Sequence, residues 1–268
     1  MALRRNKVIK WLLILTGIYI AGGIALYFLQ DVLLFHPKPL SKNHKFTFTH
    51  PYQELNLQVG NRNLNIVQFK TAGSSKGVVL YFHGNMQNIE RYQNIVPLFT
   101  AEGWELWMMD YPGFGKSTGE RTEENIYSDA ARVYEQASRQ FHINQIIIYG
   151  RSIGTGPASQ LASVRACKKL ILETPYYSID ALAKSYFPIY PVKLLTRYSF
   201  PVVDHLKKVK AASYIIHGTS DEVIPYKQAV RLRKENPSTH LITIEGGKHN
   251  DLAEFELFRA TIKRLLYD

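Results

Sequence analysis

Gly150-Arg151-Ser152-Ile153-Gly154 follows the apolar run Ile146-Ile147-Ile148-Tyr149 and precedes the small residues Thr155-Gly156-Pro157-Ala158. A strand that ends in G-x-S-x-G and passes straight into a helix predicts a sharp turn that lifts the serine hydroxyl above a sheet edge. The N-terminus of that helix would favour negative charge developing beside Ser152. A serine hydroxyl is a weak nucleophile, so acyl-transfer chemistry demands a base and a group that orients the base. Both stand downstream. Asp221 follows the apolar run Tyr214-Ile215-Ile216, and His249 follows Leu241-Ile242-Thr243-Ile244 and the pair Gly246-Gly247. The order Ser152, Asp221, His249 puts all three just after predicted strands, where mostly parallel sheets carry their sites.

A tetrahedral intermediate also needs two backbone N–H donors aimed at its oxygen. Ile153, directly after the serine, is one candidate. The second should lie in a loop after an early strand, and Tyr81-Phe82-His83-Gly84-Asn85-Met86 offers Asn85, with Met86 as the alternative donor. The acid has a rival in Glu173, which ends the strand after the serine's helix. Asp110, ahead of Tyr111-Pro112-Gly113-Phe114-Gly115, reads as a carboxylate that braces a loop. His83 and His217 sit in His-Gly turns, where an imidazole can do the same. Asp221 is the choice for the acid because it completes the chain order.

These residues need a sheet to hold them. Val78 to Phe82, Leu106 to Met109, Ile146 to Tyr149, Leu170 to Leu172, Tyr214 to Ile216 and Leu241 to Ile244 are continuous apolar runs. Such runs suit strands buried on both faces. Helical stretches at 88–99, 122–141, 154–164, 226–234 and 251–266 separate or follow them. Ahead of the series, Phe46 to Thr49, Leu55 to Val59 and Leu64 to Phe69 alternate as strands with one buried face, the last two as a hairpin. The pattern predicts an α/β fold: a mostly parallel central sheet with helices on both faces, spanning residues 46–268. Between Glu173 and Lys207, the aromatic residues Tyr176, Tyr177, Tyr186, Phe187, Tyr190, Tyr198 and Phe200 suggest a small cap over the site near residues 176–207.

Trp11 to Gln30 is a run of twenty uncharged residues. As a helix rising about 1.5 Å per residue it reaches ~30 Å, the thickness of a bilayer core. We read residues 1–10 as a basic cytoplasmic tail, 11–30 as a transmembrane anchor and 31–45 as a linker. A cleaved signal peptide is the alternative. Arg4, Arg5, Lys7 and Lys10 resist translocation and predict the large domain on the non-cytoplasmic side. The formal net charge of +11 suits an anionic membrane, and no nucleic-acid motif accompanies it. With 46% hydrophobic and 21% charged residues the chain is neither disordered nor collagen-like. Cys167, the single cysteine, excludes an internal disulfide and a cysteine-based zinc site.

The segments HGN at 83–85, DYPGFGKSTG at 110–119, GRSIGTGP at 150–157, HGTSDEVIP at 217–225 and GGKHND at 246–251 occur in one order. With them the chain resembles the α/β-hydrolase superfamily. Within it, the chain looks like the membrane-associated branch of protein depalmitoylases and lysophospholipid hydrolases. The resemblance implies an esterase or thioesterase without metal or organic cofactor, acting on an acyl ester or lipid substrate at a membrane. It implies Ser152, His249 and Asp221 as the catalytic residues. Eukaryotic depalmitoylases of this branch attach through a cysteine-rich N-terminus, whereas this chain has an apolar helix there. A peptidase of the proline-aminopeptidase type and a non-enzymatic binding protein of the same fold are the two other readings.

Overall fold

The computed structural model describes residues 2–267. Its centre is an eight-stranded sheet: β1 Tyr52–Val59, β2 Arg62–Phe69, β3 Gly77–Phe82, β4 Trp104–Met109, β5 Ile146–Arg151, β6 Lys169–Glu173, β7 Ala212–Gly218 and β8 His240–Ile244. The spatial order is β8-β7-β6-β5-β3-β4-β2-β1. The hairpin β1–β2 and the β2–β4 pair are antiparallel, and every other pairing is parallel. β3, β4 and β6 are buried along their whole length, as continuous apolar runs require of strands covered on both faces. Two apolar clusters result, one on each face of the sheet.

Register decides what can meet at the sheet's edge. Phe82 of β3 pairs with Gly150 of β5, so the loop after β3 emerges beside Ser152. Arg151 pairs with Glu173 across β5 and β6. Gly218 of β7 pairs with Ile244 of β8, which brings the loops carrying Asp221 and His249 side by side. Strand ends that are distant in sequence become neighbours through parallel pairing alone.

Three expectations are corrected. Phe46 to Thr49 is not a strand. Its alternation is real, because Phe46 and Phe48 stack 4.9 Å apart and Phe48 meets Phe69, but it reflects packing and not ladder pairing. The helix expected at 88–99 is a 3-10 segment, Ile89–Ile95, followed by a short helix, Pro97–Thr100. Pro97 lacks the N–H that a continuous helix would need there. The third concerns 31–45. Gln30–Leu34 forms a helix, Phe35 is buried in the core, and His36–Pro37 pairs in parallel with Met86–Gln87. Its first half is built into the domain and is not a free linker.

The N-terminal helix spans Ala2–Phe28. Its stretch from Arg4 to Phe28 is long and apolar enough to cross a membrane, by length and composition. Cys167 is buried, and burial pushes its thiol up to about 12, so it packs as a small apolar side chain.

Candidate active site

β5 ends at Arg151, and Ser152 opens a 3-10 turn that runs into the helix Thr155–Val164. Ser152 holds φ at 53°, a left-handed conformation that costs a non-glycine residue of order 1–3 kcal/mol. The turn exists because its flanks are glycine. A Cβ on Gly154 would lie 2.1 Å from the Phe82 carbonyl oxygen, and one on Gly150 would lie 2.6 Å from the Ala158 methyl. Thr155 donates its hydroxyl to the Ser152 carbonyl at 2.7 Å and fixes the turn from the helix side.

The Ser152 hydroxyl and His249 Nε2 stand 3.0 Å apart, and His249 Nδ1 donates to Asp221 Oδ2 at 2.8 Å. With Nδ1 donating to the carboxylate, Nε2 is left to accept the serine proton. Ser152, Asp221 and His249 are all buried, so charge on this hydrogen-bonded chain would be little screened by water. The other oxygen of Asp221 accepts the N–H groups of Val223 (2.9 Å) and Ile224 (2.7 Å). Burial alone would raise this carboxyl, but hydrogen bonds from His217 and His249 and from the Ile224 N–H hold it well below the usual carboxylate range.

His217 is the partner that sequence reasoning did not assign. Its Nε2 donates to the Ile224 carbonyl at 2.8 Å and lies 3.2 Å from Asp221 Oδ2. It braces the turn as a His-Gly ring can, and the carboxylate carried by that turn is Asp221. The only available signal was its position four residues before the acid. His83 plays a comparable part on the other side: its Nδ1 donates to the Gly84 carbonyl at 2.7 Å, and Nε2 lies 3.3 Å from Asp110. Burial pushes the Asp110 carboxyl up despite that ring.

Glu173 is not beside the histidine ring. It accepts the Tyr149 hydroxyl at 2.6 Å and pairs with Arg151 Nε at 3.2 Å. Arg151 in turn reaches the loop that carries the histidine, with Nη2 3.2 Å from the Asn250 side-chain oxygen. Despite burial, Glu173 keeps the Arg151 guanidinium firmly charged.

A cavity of about 400 Å³ opens above the serine, and Asn85, Ser152 and Ile153 share its floor. Of the two donors weighed in the loop after β3, Met86 gives its N–H to the Tyr92 hydroxyl at 3.2 Å. Asn85 is held from outside the sheet: its side-chain amide donates to the Leu34 carbonyl at 3.0 Å, and its own carbonyl accepts the His36 N–H at 2.9 Å. Within the stretch expected to form a cap, the short helices Ile179–Tyr186 and Val192–Leu195 line this cavity, and the helix Val202–Leu206 does not. The aromatics of the stretch divide. Tyr198 and Phe200 are buried without lining the cavity, while Tyr186, Phe187 and the buried Tyr176 line it.

Residues 73–200 match the family profile described as serine aminopeptidase, S33. Alpha/beta hydrolase domain-containing protein 17C of Mus musculus is 31% identical over 200 residues, a match covering 73% of this chain and 60% of that protein. Its counterpart in Xenopus tropicalis is 32% identical over 195 residues, covering 71% of this chain and 61% of the relative. The chain thus spans about three fifths of the length of the curated relatives it matches. Among solved structures, an esterase from Pyrococcus furiosus aligns with a TM-score of 0.67 at 18% identity, covering 87% of this chain and 97% of that one. A ferulic-acid-bound protein from Butyrivibrio proteoclasticus gives 0.68 at 20% identity, covering 80% and 98%. At such identities the structural likeness speaks for the fold. Strand order, relatives and structural neighbours converge, and the chain belongs to the α/β-hydrolase superfamily.

Proposed function

We propose that this chain is a membrane-anchored serine hydrolase that cleaves carboxylic esters or thioesters of acyl or lipid substrates. One observation carries the reading: the hydrogen-bonded chain Ser152–His249–Asp221 ends under an apolar cavity. Ser152 Oγ attacks the acyl carbon while His249 Nε2 takes its proton. Asp221 holds the ring and stabilises the imidazolium. The backbone N–H groups of Asn85 and Ile153 hold the oxyanion. The intermediate collapses as His249 returns the proton to the departing oxygen or sulfur, leaving an acyl-serine. Water, deprotonated by the same histidine, then releases the acid and restores the serine. No step calls for a metal or cofactor.

The same reading gives the N-terminal helix the role of anchor. Its basic tail lies in the cytoplasm, and residues 46–268, cap included, work on the non-cytoplasmic side. Acyl chains and lipid esters are then at high local concentration. A depalmitoylase or lysophospholipid hydrolase role fits this arrangement.

The test is a fluorophosphonate reaction with the full chain, followed by peptide mapping and turnover of two substrate kinds. A single adduct on Ser152, and p-nitrophenyl acyl ester hydrolysis well above aminoacyl-amide hydrolysis, is the expected result. The match to a serine aminopeptidase profile gives the amide its place in the test. Faster amide turnover would make the chain a peptidase, and the absence of an adduct would make it a binding protein. No charged side chain lines the cavity among the described residues, which disfavours a substrate held by its ammonium group.

Asn85 gives a smaller, separate expectation. Asn85→Ala keeps the backbone donor but loses the side-chain bond to Leu34. Ester turnover should fall about tenfold as the loop loosens, and the Tm should drop by only a few degrees, since one net hydrogen bond is worth about 1 kcal/mol of stability. Wild-type turnover would deny the loop its part.

A further inference from the structure

We propose that the N-terminal helix and the cap form a side entrance from the bilayer, through which a long acyl chain reaches Ser152, so that the anchor is one wall of the acyl-binding site. This rests on the hydrolase reading above and adds the route and the chain-length selector.

The cavity above the serine is also lined by Leu26, Leu33 and Leu34. These residues belong to the N-terminal helix and to the turn of helix that follows it. A volume of about 400 Å³ falls within the range of pockets that enclose small ligands, and walls without charge suit a hydrocarbon chain. A second cavity, of about 340 Å³, lies between the helix face bearing Ile20, Ile24 and Tyr27 and the cap residues Tyr190 and Pro191. Leu195 lines both cavities. The proposed path from the helix surface to the serine runs past Leu195.

The helix is fastened to the cap at two levels. The Tyr19 ring stacks on Tyr190 with centroids 4.8 Å apart and planes at 6°, and its hydroxyl donates to the Ile189 carbonyl at 3.2 Å. Gly22 leaves room for the Tyr190 hydroxyl, which would lie 2.1 Å from a Cβ at that position. Eleven residues on, Gln30 donates to the Leu195 carbonyl at 2.8 Å and accepts the Arg197 N–H at 2.7 Å. Asp31 pairs with Arg197 and accepts the Tyr198 hydroxyl at 2.6 Å. Those two levels stand roughly 16 Å apart along a helix. If the helix spans the membrane, Tyr19 lies inside the hydrocarbon, and the cap tip that stacks on it lies there too.

The cap tip is made for that place. Ile189 and Leu194 are 70% and 82% exposed, large apolar side chains that water disfavours and lipid accepts. The polar latch at Gln30 and Asp31 then falls near the headgroups. On its far side the cap is pinned to the loop of the acid, because the Tyr186 hydroxyl donates to the Val223 carbonyl at 2.7 Å. The proposed route is the seam between cap and helix, where the two cavities meet at Leu195.

A hexadecyl fluorophosphonate carrying a diazirine near its chain end tests the route in proteoliposomes of the full chain. After reaction at Ser152, irradiation should cross-link the chain to residues 19–34 and to Leu195. Cross-links confined to 179–187 and 223–224 would overturn the proposal. Failure to react at Ser152 would instead remove the hydrolase reading, and this inference with it. Leu26→Trp and Leu195→Trp supply the second measurement, the ratio of vesicle-borne p-nitrophenyl palmitate to p-nitrophenyl acetate turnover. That ratio should fall about tenfold or more, while Ile18→Trp, on the exposed face of the same helix, leaves it unchanged. A ratio that stays at the wild-type value in both wall variants would sink the idea.

Discussion

Ser152→Ala is expected to abolish fluorophosphonate labelling and to lower acyl-ester hydrolysis by at least about a thousandfold. The alanine removes the hydroxyl that stands 3.0 Å from His249 Nε2. It leaves the backbone donors and the cavity in place, so a small residual rate should persist. The fold should survive. The strained φ of 53° is a backbone property that alanine inherits, and the Thr155 hydroxyl still bonds the carbonyl of residue 152. Thermal unfolding should therefore change little while labelling disappears, which separates loss of the nucleophile from loss of structure. An adduct of comparable yield in the variant would remove Ser152 from its role.

The sheet and the hydrogen-bonded chain were legible in the sequence for a common reason: both are written in local patterns. The runs 78–82, 146–149 and 170–172 predict strands buried on both faces, and β3, β5 and β6 occupy those positions. The G-x-S-x-G turn announces itself by glycines whose Cβ atoms would collide with Phe82 and Ala158. The structure also brings Ser152, Asp221 and His249 into one hydrogen-bonded chain, because parallel pairing sets neighbouring strand ends side by side.

Non-local contacts left no such mark. Residues 31–45 read as a linker because Pro37, Pro39 and the polar stretch from Ser41 to Lys45 are loop-like in composition. Their first half is instead fixed by partners far along the chain: Leu34 and His36 by Asn85, Asp31 by Arg197 and Tyr198. A window that slides along the sequence sees none of these. The consequence reaches the site, since the loop expected to hold the oxyanion is itself held by chain arriving from the N-terminal helix. His217 was legible as a bracing ring, but its link to Asp221 needed the loop's actual path.

Asp221→Asn is expected to lower kcat/KM by about ten-thousandfold, and Glu173→Gln by tenfold or less. The amide that replaces the Asp221 carboxylate is nearly isosteric and keeps an oxygen to accept the Val223 and Ile224 N–H groups, but it carries no charge to stabilise an imidazolium. It also offers a proton to His249 Nδ1, which turns the ring so that Nε2 holds a proton and cannot accept one from serine. In the Glu173→Gln variant the new amide can still accept the Tyr149 hydroxyl; what is lost is the ion pair to Arg151, so the penalty falls on stability and on the loop of Asn250 more than on proton transfer. The pH dependence of unfolding supplies an independent reading. A carboxyl whose folded pKa is depressed stabilises the fold fully above its unfolded value, near pH 4, and loses that contribution as pH falls toward the folded value. The Asp221→Asn variant has no carboxyl to titrate at this position, so the wild-type advantage in urea unfolding should be largest at about pH 5–6 and shrink by about pH 3. An advantage that is constant across that window would contradict the depressed carboxyl, and a folded Glu173→Gln more damaging to turnover than Asp221→Asn would transfer the acid's role to Glu173.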